Sequence, residues 1–472
     1  MYLRIDEHNL DNLFAIDDSN GVVKNEDSKG DCNSCTYAEL LKFTAEIKSK
    51  INSRELVFIL SKNTVGSLAG YVAFYENQDV SLILDYALPA EMLSALVTEY
   101  SPAYIYAPAE WECGLDIPSD DEVLSFKNFK LIKTNLASPA MNENLSFLMT
   151  TSGSTGSPKL VRHKYGNLEH NAEVISEAFG WTENEKGVCH LPLHYTMGRS
   201  VADSIIYSGG CCVLTESNIM FPGFWKFITE QKATSFTGVP YSYEIALKVK
   251  FLKRELPDLK IISVGGGKLS EENFKVLSDY ARDTGRKFYS TYGATETSAR
   301  MSYLPPEFAC EKTGSIGSPF RGGEFSLTDE GELVFKGKNV TMGYAVSRAD
   351  LAKSDDWNGV YHTGDIARAD SDGHYYISGR ISRFLKLFGT RVGLDESEKL
   401  IGKHFETECA CTGTDKLMQI FVVKEGIGEE VKSFISHKTA LPKTAFEVSE
   451  IDEIPHKSSG KVDYQALRNA NA

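Results

Sequence analysis

Residues 37–110 alternate two kinds of apolar pattern, and this alternation constrains the fold more than any other feature of the chain. TYAELLKFTAEIKSKI places its apolar residues at helical spacing, whereas ELVFILSK is a compact apolar run of strand length. SLAGYVAFYENQ and ALPAEMLSALVTEY again read as helices, interleaved with the strand-like VSLILD and AYIYAP. Strands that alternate with helices pair in parallel, because each crossover helix must cover a sheet face, so an α/β architecture is predicted. Gly/Ser/Asn-rich stretches at 17–36 and 135–146 read as surface connections.

From 325 to 380 the pattern changes to short strands with turn signals, in FSLTDEGELVFKG and HTGDIARADSDGHYYISGR. After Arg380, strand-like FLKLF and IFVVK mix with helical EEVKSFISHK, enough for a small α+β domain. The predicted organisation is an N-terminal domain of mixed sheets flanked by helices over 1–381, with a β-rich subdomain at about 320–381. A C-terminal α+β domain follows over 382–472, hinged near 382.

Composition narrows the function classes. A chain of 472 residues that is 42% hydrophobic and 24% charged is neither disordered nor a small binding module. Against 65 Asp+Glu there are only 50 Lys+Arg, a net charge of −15, which disfavours a nucleic-acid surface. The start, MYLRIDEHNLDNLFAIDD, has no basic and apolar leader, no run of about 18 apolar residues occurs, and the cysteine count is nine. A reducing cytoplasm and no membrane span are the expectations. Cys32 and Cys35 form a CxxC and Cys409 and Cys411 a CxC, but no second pair lies beside either, so plain thiols rather than structural zinc are expected.

Chemistry is concentrated in Thr150-Thr151-Ser152-Gly153-Ser154-Thr155-Gly156-Ser157-Pro158-Lys159. Successive small residues allow close backbone approach, leave N–H groups and hydroxyls around a polyphosphate, and Lys159 adds a cation. The segment is not a Walker A loop, since Pro158 precedes Lys159 and Leu160 follows it. An ordinary Ser/Gly linker is the alternative. In Tyr292-Gly293-Ala294-Thr295-Glu296, an aromatic suited to stacking on a base stands near a hydroxyl and a carboxylate suited to Mg²⁺. Alone, this pentapeptide also reads as a polar turn.

Taken in order, TTSGSTGSPK (150–159), SVGGGKLS (263–270), STYGATE (290–296), GELVFKGKNVTMGY (331–344), YHTGD (361–365), GRISRFLKLFGTRVGLDE (379–396) and PHKSSGKVDY (455–464) resemble the AMP-forming adenylating superfamily. That superfamily includes acyl-CoA synthetases, nonribosomal peptide synthetase adenylation domains and firefly luciferase. The resemblance implies that Thr151, Ser152, Gly153, Ser154, Thr155, Gly156 and Lys159 wrap the β- and γ-phosphates of ATP. Gly265, Gly266 and Gly267 lie beside adenine, with Tyr292 stacked on the base in a turn continued by Gly293 and Ala294. Thr295 bonds the α-phosphate and Glu296 holds Mg²⁺. Asp365 accepts the ribose hydroxyls and Arg380 sits near ribose and phosphate. Gly267 and Lys268 replace the usual Ala-Pro.

By the same resemblance Lys461 bridges the carboxylate and the α-phosphate during adenylation, where a cation offsets the approach of two anions. The small domain then rotates, bringing forward the face with Lys386 and Gly389, the latter bordering a pantetheine tunnel. Ser382 stands at the hinge position where Asp or Lys is typical. LPLHYTMGRSVADSIIYSGG (191–210) resembles the acyl-pocket motif through His194 and Gly198, with Tyr195 where a histidine is usual. The amino-acid-activating branch carries a Phe-Asp pair here that this chain lacks, and Asp203 reads as a helix-surface residue.

The function implied is an ATP- and Mg²⁺-dependent ligase that adenylates a carboxylic acid, fatty or otherwise non-amino, and transfers the acyl group to a thiol. Coenzyme A is the expected acceptor and the phosphopantetheine of a separate acyl carrier protein the alternative, since only 11 residues follow Lys461. The competing readings are an amino-acid adenylating enzyme, with Asp203 or Glu244 binding the amine, and an inactive adenylate-binding protein.

Overall fold

The computed structural model describes residues 2–18, 33–112, 122–150, 159–381, 383–387, 390–414, 416–439, 441–457 and 460–469, with backbone only at 384, 386, 390 and 391. The alternating segment folds as its pattern predicts. Tyr37–Lys50 is a helix started by a capping box, in which the Thr36 hydroxyl accepts from the Glu39 N–H and the Glu39 carboxylate accepts from the Thr36 N–H. Strand Leu56–Ser61 pairs in parallel with Val80–Asp85 on one side and Tyr104–Pro108 on the other. Helices Val65–Glu76 and Ala90–Tyr100 make the crossovers.

These strands belong to an eight-stranded sheet in the order Tyr344–Ala345, Leu160–Lys164, Leu145–Thr150, Val80–Asp85, Leu56–Ser61, Tyr104–Pro108, Phe129–Lys133 and Glu122–Phe126. A nine-stranded sheet runs Ser318–Pro319, Ser302–Leu304, Lys287–Tyr292, Ile261–Val264, Ser235–Gly238, Lys186–Cys189, Cys211–Leu214, Leu13–Asp17 and Ser34–Thr36. Its five strands from Lys287–Tyr292 to Cys211–Leu214 are mutually parallel. Helix Val65–Glu76 is apolar all round and packs on strands of both sheets, which explains why it lacks a polar stripe. Ser34–Thr36 is a strand antiparallel to Leu13–Asp17, so the connection expected over 17–36 ends in the sheet. Cys35 is fully buried there, and burial pushes its thiol up to about 12.

Contacts divide the chain into two compact units, 1–324 with 335–361, and 325–334 with 362–472. The division expected at 381/382 therefore falls inside the second unit. Ile381 N–H donates to the Gly364 carbonyl at 2.7 Å, and helix Leu394–Phe405 packs on strand Tyr375–Arg380. Strand Tyr375–Arg380, before the expected hinge, thus packs on a helix beyond it. Within the second unit, a three-stranded sheet of Cys409–Thr414, Leu417–Val422 and Phe446–Glu450 is covered by helices Leu394–Phe405, Gly428–Thr439 and Tyr464–Asn469. Among the described residues no helix is long and apolar enough to cross a membrane.

Candidate active site

Parallel strands end together, and their carboxyl ends collect the motifs. Strands Lys186–Cys189, Ser235–Gly238, Ile261–Val264 and Lys287–Tyr292 lead directly into the segments holding His194, Gly265 and Thr295. Ligands of open α/β sheets bind at this edge. Asn63, just beyond strand Leu56–Ser61 of the other sheet, ties the two edges together. Its side-chain amide donates to the carbonyls of Cys189 (3.2 Å) and Leu191 (3.1 Å), and its oxygen accepts from the Leu193 N–H at 3.1 Å.

Close backbone approach shapes the nucleotide segments. A Cβ on Gly293 would stand 1.5 Å from the Ala299 carbonyl oxygen, so only glycine fits where the chain doubles back after Glu296. The Gly265-Gly266-Gly267 turn holds Gly266 at φ +76°, and a Cβ on Gly265 would lie 2.4 Å from the Met197 methyl. Tyr292 is half-buried at the end of its strand, its carbonyl accepting from the Met301 N–H at 2.8 Å.

The Thr295 and Thr196 hydroxyls are 2.8 Å apart, which joins the phosphate-side motif to the acyl-side helix. The Tyr344 hydroxyl donates to Glu296 Oε1 at 2.7 Å, and Lys159 Nζ lies 3.4 Å from the centre of the same tyrosine ring. Tyr344 therefore joins the phosphate-loop lysine to the expected Mg²⁺ ligand. Burial, and then the Glu296 charge, push its phenol upward, so it stays a protonated donor across the physiological range. Tyr344 belongs to the 331–344 motif, but nothing in that motif announced this contact.

Buried polar groups fix the segment that presents Tyr344. Arg162 donates to the carbonyls of Met342 (2.8 Å), Tyr344 (3.1 Å) and Lys353 (2.7 Å), and pairs with Asp356 at 2.5 Å. Asn339 donates to the Thr297 carbonyl at 2.8 Å, and the Thr341 N–H donates to the Glu296 carbonyl at 3.0 Å. Residues far apart in sequence are thus stitched into one rigid rim.

On the acyl side, Tyr195 precedes helix Thr196–Tyr207 and its carbonyl accepts from the Arg199 N–H at 3.0 Å. The His194 ring meets the Tyr195 ring edge-on at 4.6 Å, and its Nε2 is 3.8 Å from Asp85. Burial lowers the His194 pKa, with Asp85 opposing. Gly198 is required by close packing, since a Cβ there would meet the Pro192 carbonyl at 2.3 Å. Asp203 corrects its sequence reading. It is fully buried, pairs with Arg199 four residues earlier, and accepts from the Tyr71 hydroxyl at 2.9 Å. Glu244 is exposed on helix Pro240–Lys248.

In the second unit Asp365 and Arg380 are cross-strand neighbours, with Arg380 Nε 2.8 Å from Asp365 Oδ1. The Asp365 side chain is 7% exposed and that of Arg380 60%, so the arginine covers the carboxylate from the solvent side. Lys461 is exposed in a short hairpin closed by the His456–Val462 bridge, where the Lys457 N–H donates to the Lys461 carbonyl at 2.8 Å. Arg383, next to the expected hinge, pairs with Asp395 and Glu398, donates to the Tyr464 hydroxyl at 2.8 Å and lies 3.9 Å over that ring. This network links residue 383 to the helix just after Lys461. Lys386 is backbone-paired with Arg391. Thr151, Ser152, Gly153, Ser154, Thr155 and Gly156 lie outside the described residues, as do Ser382, Gly389 and Cys32.

Residues 23–345 match the family model described as AMP-binding enzyme. The chain belongs to this family. It is thereby a member of the AMP-forming adenylating superfamily and an AMP-forming acid–thiol ligase of the acyl-CoA synthetase type. A 2-succinylbenzoate–CoA ligase of Listeria monocytogenes serotype 4b is 24% identical over 458 residues, 93% of this chain and 94% of that one. One of Listeria innocua is 27% identical over 336 residues, 69% of this chain and 70% of that one. Among solved structures, O-succinylbenzoate coenzyme A synthetase from Bacillus subtilis in complex with AMP superposes with a TM-score of 0.74 at 20% identity, covering 99% of this chain and 97% of that one. ATP-bound MatB from Rhodopseudomonas palustris also gives 0.74 at 20% identity, over 99% and 98%. The fold is that of these enzymes. The fatty acid among the acids expected from the sequence finds no support in the names of these relatives.

Proposed function

We propose that the chain converts a non-amino, aromatic carboxylic acid to its acyl-adenylate with ATP and then to its coenzyme A thioester. The observation that carries this reading is the cluster of Lys159, Tyr344, Glu296 and Thr295 at the carboxyl edge of the sheets. There a cation, a carboxylate and a hydroxyl converge where a triphosphate reaches the acyl segment. Glu296 suits Mg²⁺, since Tyr344 engages only one of its oxygens and hard cations prefer carboxylate ligands. When bound, Mg²⁺ offsets the charge of the phosphates.

The substrate carboxylate attacks the α-phosphorus, an acyl–phosphate bond forms, and pyrophosphate leaves. Thr295 binds an α-phosphate oxygen, Lys159 the outer phosphates, and Gly265 to Gly267 with Tyr292 hold the base. Asp365 accepts from the ribose hydroxyls and Arg380 neutralises nearby phosphate. Lys461 stabilises the crowded anions of the first step. Rotation of the C-terminal domain about Ser382 then withdraws it and brings the Lys386–Gly389 face to the thiol. The sulfur attacks the acyl carbon, a thioester forms, and AMP leaves with the phosphate oxygen.

A non-amino acid is favoured because Asp203, the nearest buried carboxylate of the acyl helix, is already neutralised by Arg199 and Tyr71. Diverting it to an α-ammonium would leave Arg199 buried and unpaired. An aromatic acid and coenzyme A, rather than a fatty acid and a carrier protein, accord with the names of the relatives. A pyrophosphate-exchange screen over aryl, fatty and amino acids tests the reading. Exchange is expected with aryl acids and background with amino acids. An α-amino acid with a higher specificity constant than its deaminated analogue would refute it.

A further inference from the structure

Thr196 is the first residue of the acyl-side helix Thr196–Tyr207, and its hydroxyl is used unlike those of other helical threonines. Thr44 and Thr229 donate back to the carbonyls of Leu40 (2.8 Å) and Trp225 (2.7 Å), four residues earlier in their own helices. The Thr196 hydroxyl instead meets two atoms of other elements, Thr295 Oγ1 at 2.8 Å and Met149 Sδ at 3.5 Å. Met149 is fully buried in strand Leu145–Thr150, which leads into the 150–159 motif. One hydroxyl thus touches the acyl helix, the phosphate-loop strand and the α-phosphate motif.

Thr295 needs such a partner. Its backbone is held without Thr196, since the Ser298 N–H donates to the Thr295 carbonyl at 3.2 Å and Asn339 donates to the next carbonyl but one, Thr297, at 2.8 Å. Its hydroxyl remains a rotor, and among the described residues Thr196 is its one hydrogen-bonding partner. Each hydroxyl has a single proton and two acceptor positions. With no phosphate bound, Thr295 can donate to Thr196 while Thr196 donates to the Met149 sulfur. An anionic α-phosphate oxygen claims the Thr295 proton through a charge-assisted bond. Thr196 then turns its own proton from sulfur to Thr295 Oγ1. The thioether is a weak acceptor, so little is lost in leaving it, and the two aligned hydroxyls polarise one another.

We infer that Thr196 is a positioning residue for adenylation, which aims the Thr295 hydroxyl at the α-phosphate by donating to it. Only two hydroxyl rotations are involved; no covalent bond forms or breaks and no proton changes owner. Because Thr196 opens the acyl-side helix, the orientation of Thr295 is tied to the element that lines the acid. The inference rests on the ligase reading, with Thr295 at the α-phosphate, and adds a residue to it.

The test uses Thr196→Val, which keeps the shape and removes the hydroxyl, and Thr196→Ser, which keeps the hydroxyl and removes the methyl. Pyrophosphate exchange with an accepted aryl acid gives kcat and KM. The expected result for Thr196→Val is a kcat about 3–10-fold lower, the range of one neutral hydrogen bond, with KM for ATP and acid within about twofold. Thr196→Ser restores at least half of the lost rate. Calorimetry with AMP then compares Thr196→Val in the wild-type and Thr295→Val backgrounds. The expected loss of AMP affinity is about 3–10-fold in the first and less than twofold in the second, because the relay acts only through Thr295. Thr196→Val with wild-type kcat overturns the inference, as does equal impairment of the Val and Ser variants, which would assign the effect to the methyl. An equal loss of AMP affinity in both backgrounds also overturns it. Each of these outcomes leaves the ligase reading intact. A wild type that neither exchanges pyrophosphate with any acid nor binds AMP overturns both.

Discussion

Tyr344→Phe removes one oxygen and leaves a ring, which separates the two contacts that Tyr344 makes. The hydroxyl lost is the one 2.7 Å from Glu296 Oε1, whereas the ring under Lys159 remains. A hydrogen bond to a charged group contributes roughly 1.5–3 kcal/mol. Both residues are half-buried, so water replaces part of the loss and the lower end applies. At about 1.4 kcal/mol per factor of ten, kcat/KM for ATP should fall about tenfold, with a similar rise in the Mg²⁺ concentration giving half-maximal rate. Tyr344→Leu also removes the ring beneath Lys159, a contribution of about 0.5–1 kcal/mol, and should cost a further ~2–5-fold. Pyrophosphate exchange across a range of free Mg²⁺ measures both variants. If Tyr344→Phe matches wild type at every Mg²⁺ concentration while Tyr344→Leu is impaired, ring packing alone matters and the positioning of Glu296 by the phenol is refuted.

Lys461→Ala should abolish adenylate formation while thiol transfer from supplied acyl-adenylate persists, and equal loss in both half-reactions would contradict its assignment to the first. Asp365→Ala should weaken ATP binding at least tenfold by calorimetry, from charge-assisted hydrogen bonds of about 1.5–3 kcal/mol each; unchanged affinity would remove Asp365 from the site. Burial raises the Glu169 carboxyl from its ordinary 4.5 to about 7. The folded state therefore holds this proton more tightly than the unfolded state, so the contribution is full below pH 4.5 and declines as pH rises to about 7, by on the order of 3 kcal/mol in all. Chemical denaturation of Glu169→Gln should show a flatter stability profile over that window, and an unaltered slope would exclude Glu169 as its source.

The alternating fold of residues 37–110 was legible because strand and helix periods are local. Helix Tyr37–Lys50 and strands Leu56–Ser61, Val80–Asp85 and Tyr104–Pro108 lie where their patterns place them. Site residues inside motifs were legible as positions, but their couplings were not. Tyr344 meets Glu296 across 48 residues, and Arg162 holds the carbonyl of Tyr344 across 182, separations on which no local pattern reports. Asp203 was misread as surface because a lone aspartate in a helix usually is. The available signal was Arg199 at i−4, the spacing of a same-face ion pair. The division of the chain was placed at the hinge motif, whereas strand Tyr375–Arg380 packs on the helix beyond the hinge, a contact that composition does not encode.

The most direct test of the proposed reaction is product stoichiometry. Enzyme, ATP, Mg²⁺, coenzyme A and an accepted aryl acid are incubated, and nucleotides and thioesters are separated by chromatography with mass detection. The expected result is one AMP, one pyrophosphate and one acyl-CoA for each acid consumed. Formation of ADP and inorganic phosphate, or of AMP without thioester, would contradict an AMP-forming acid–coenzyme A ligase.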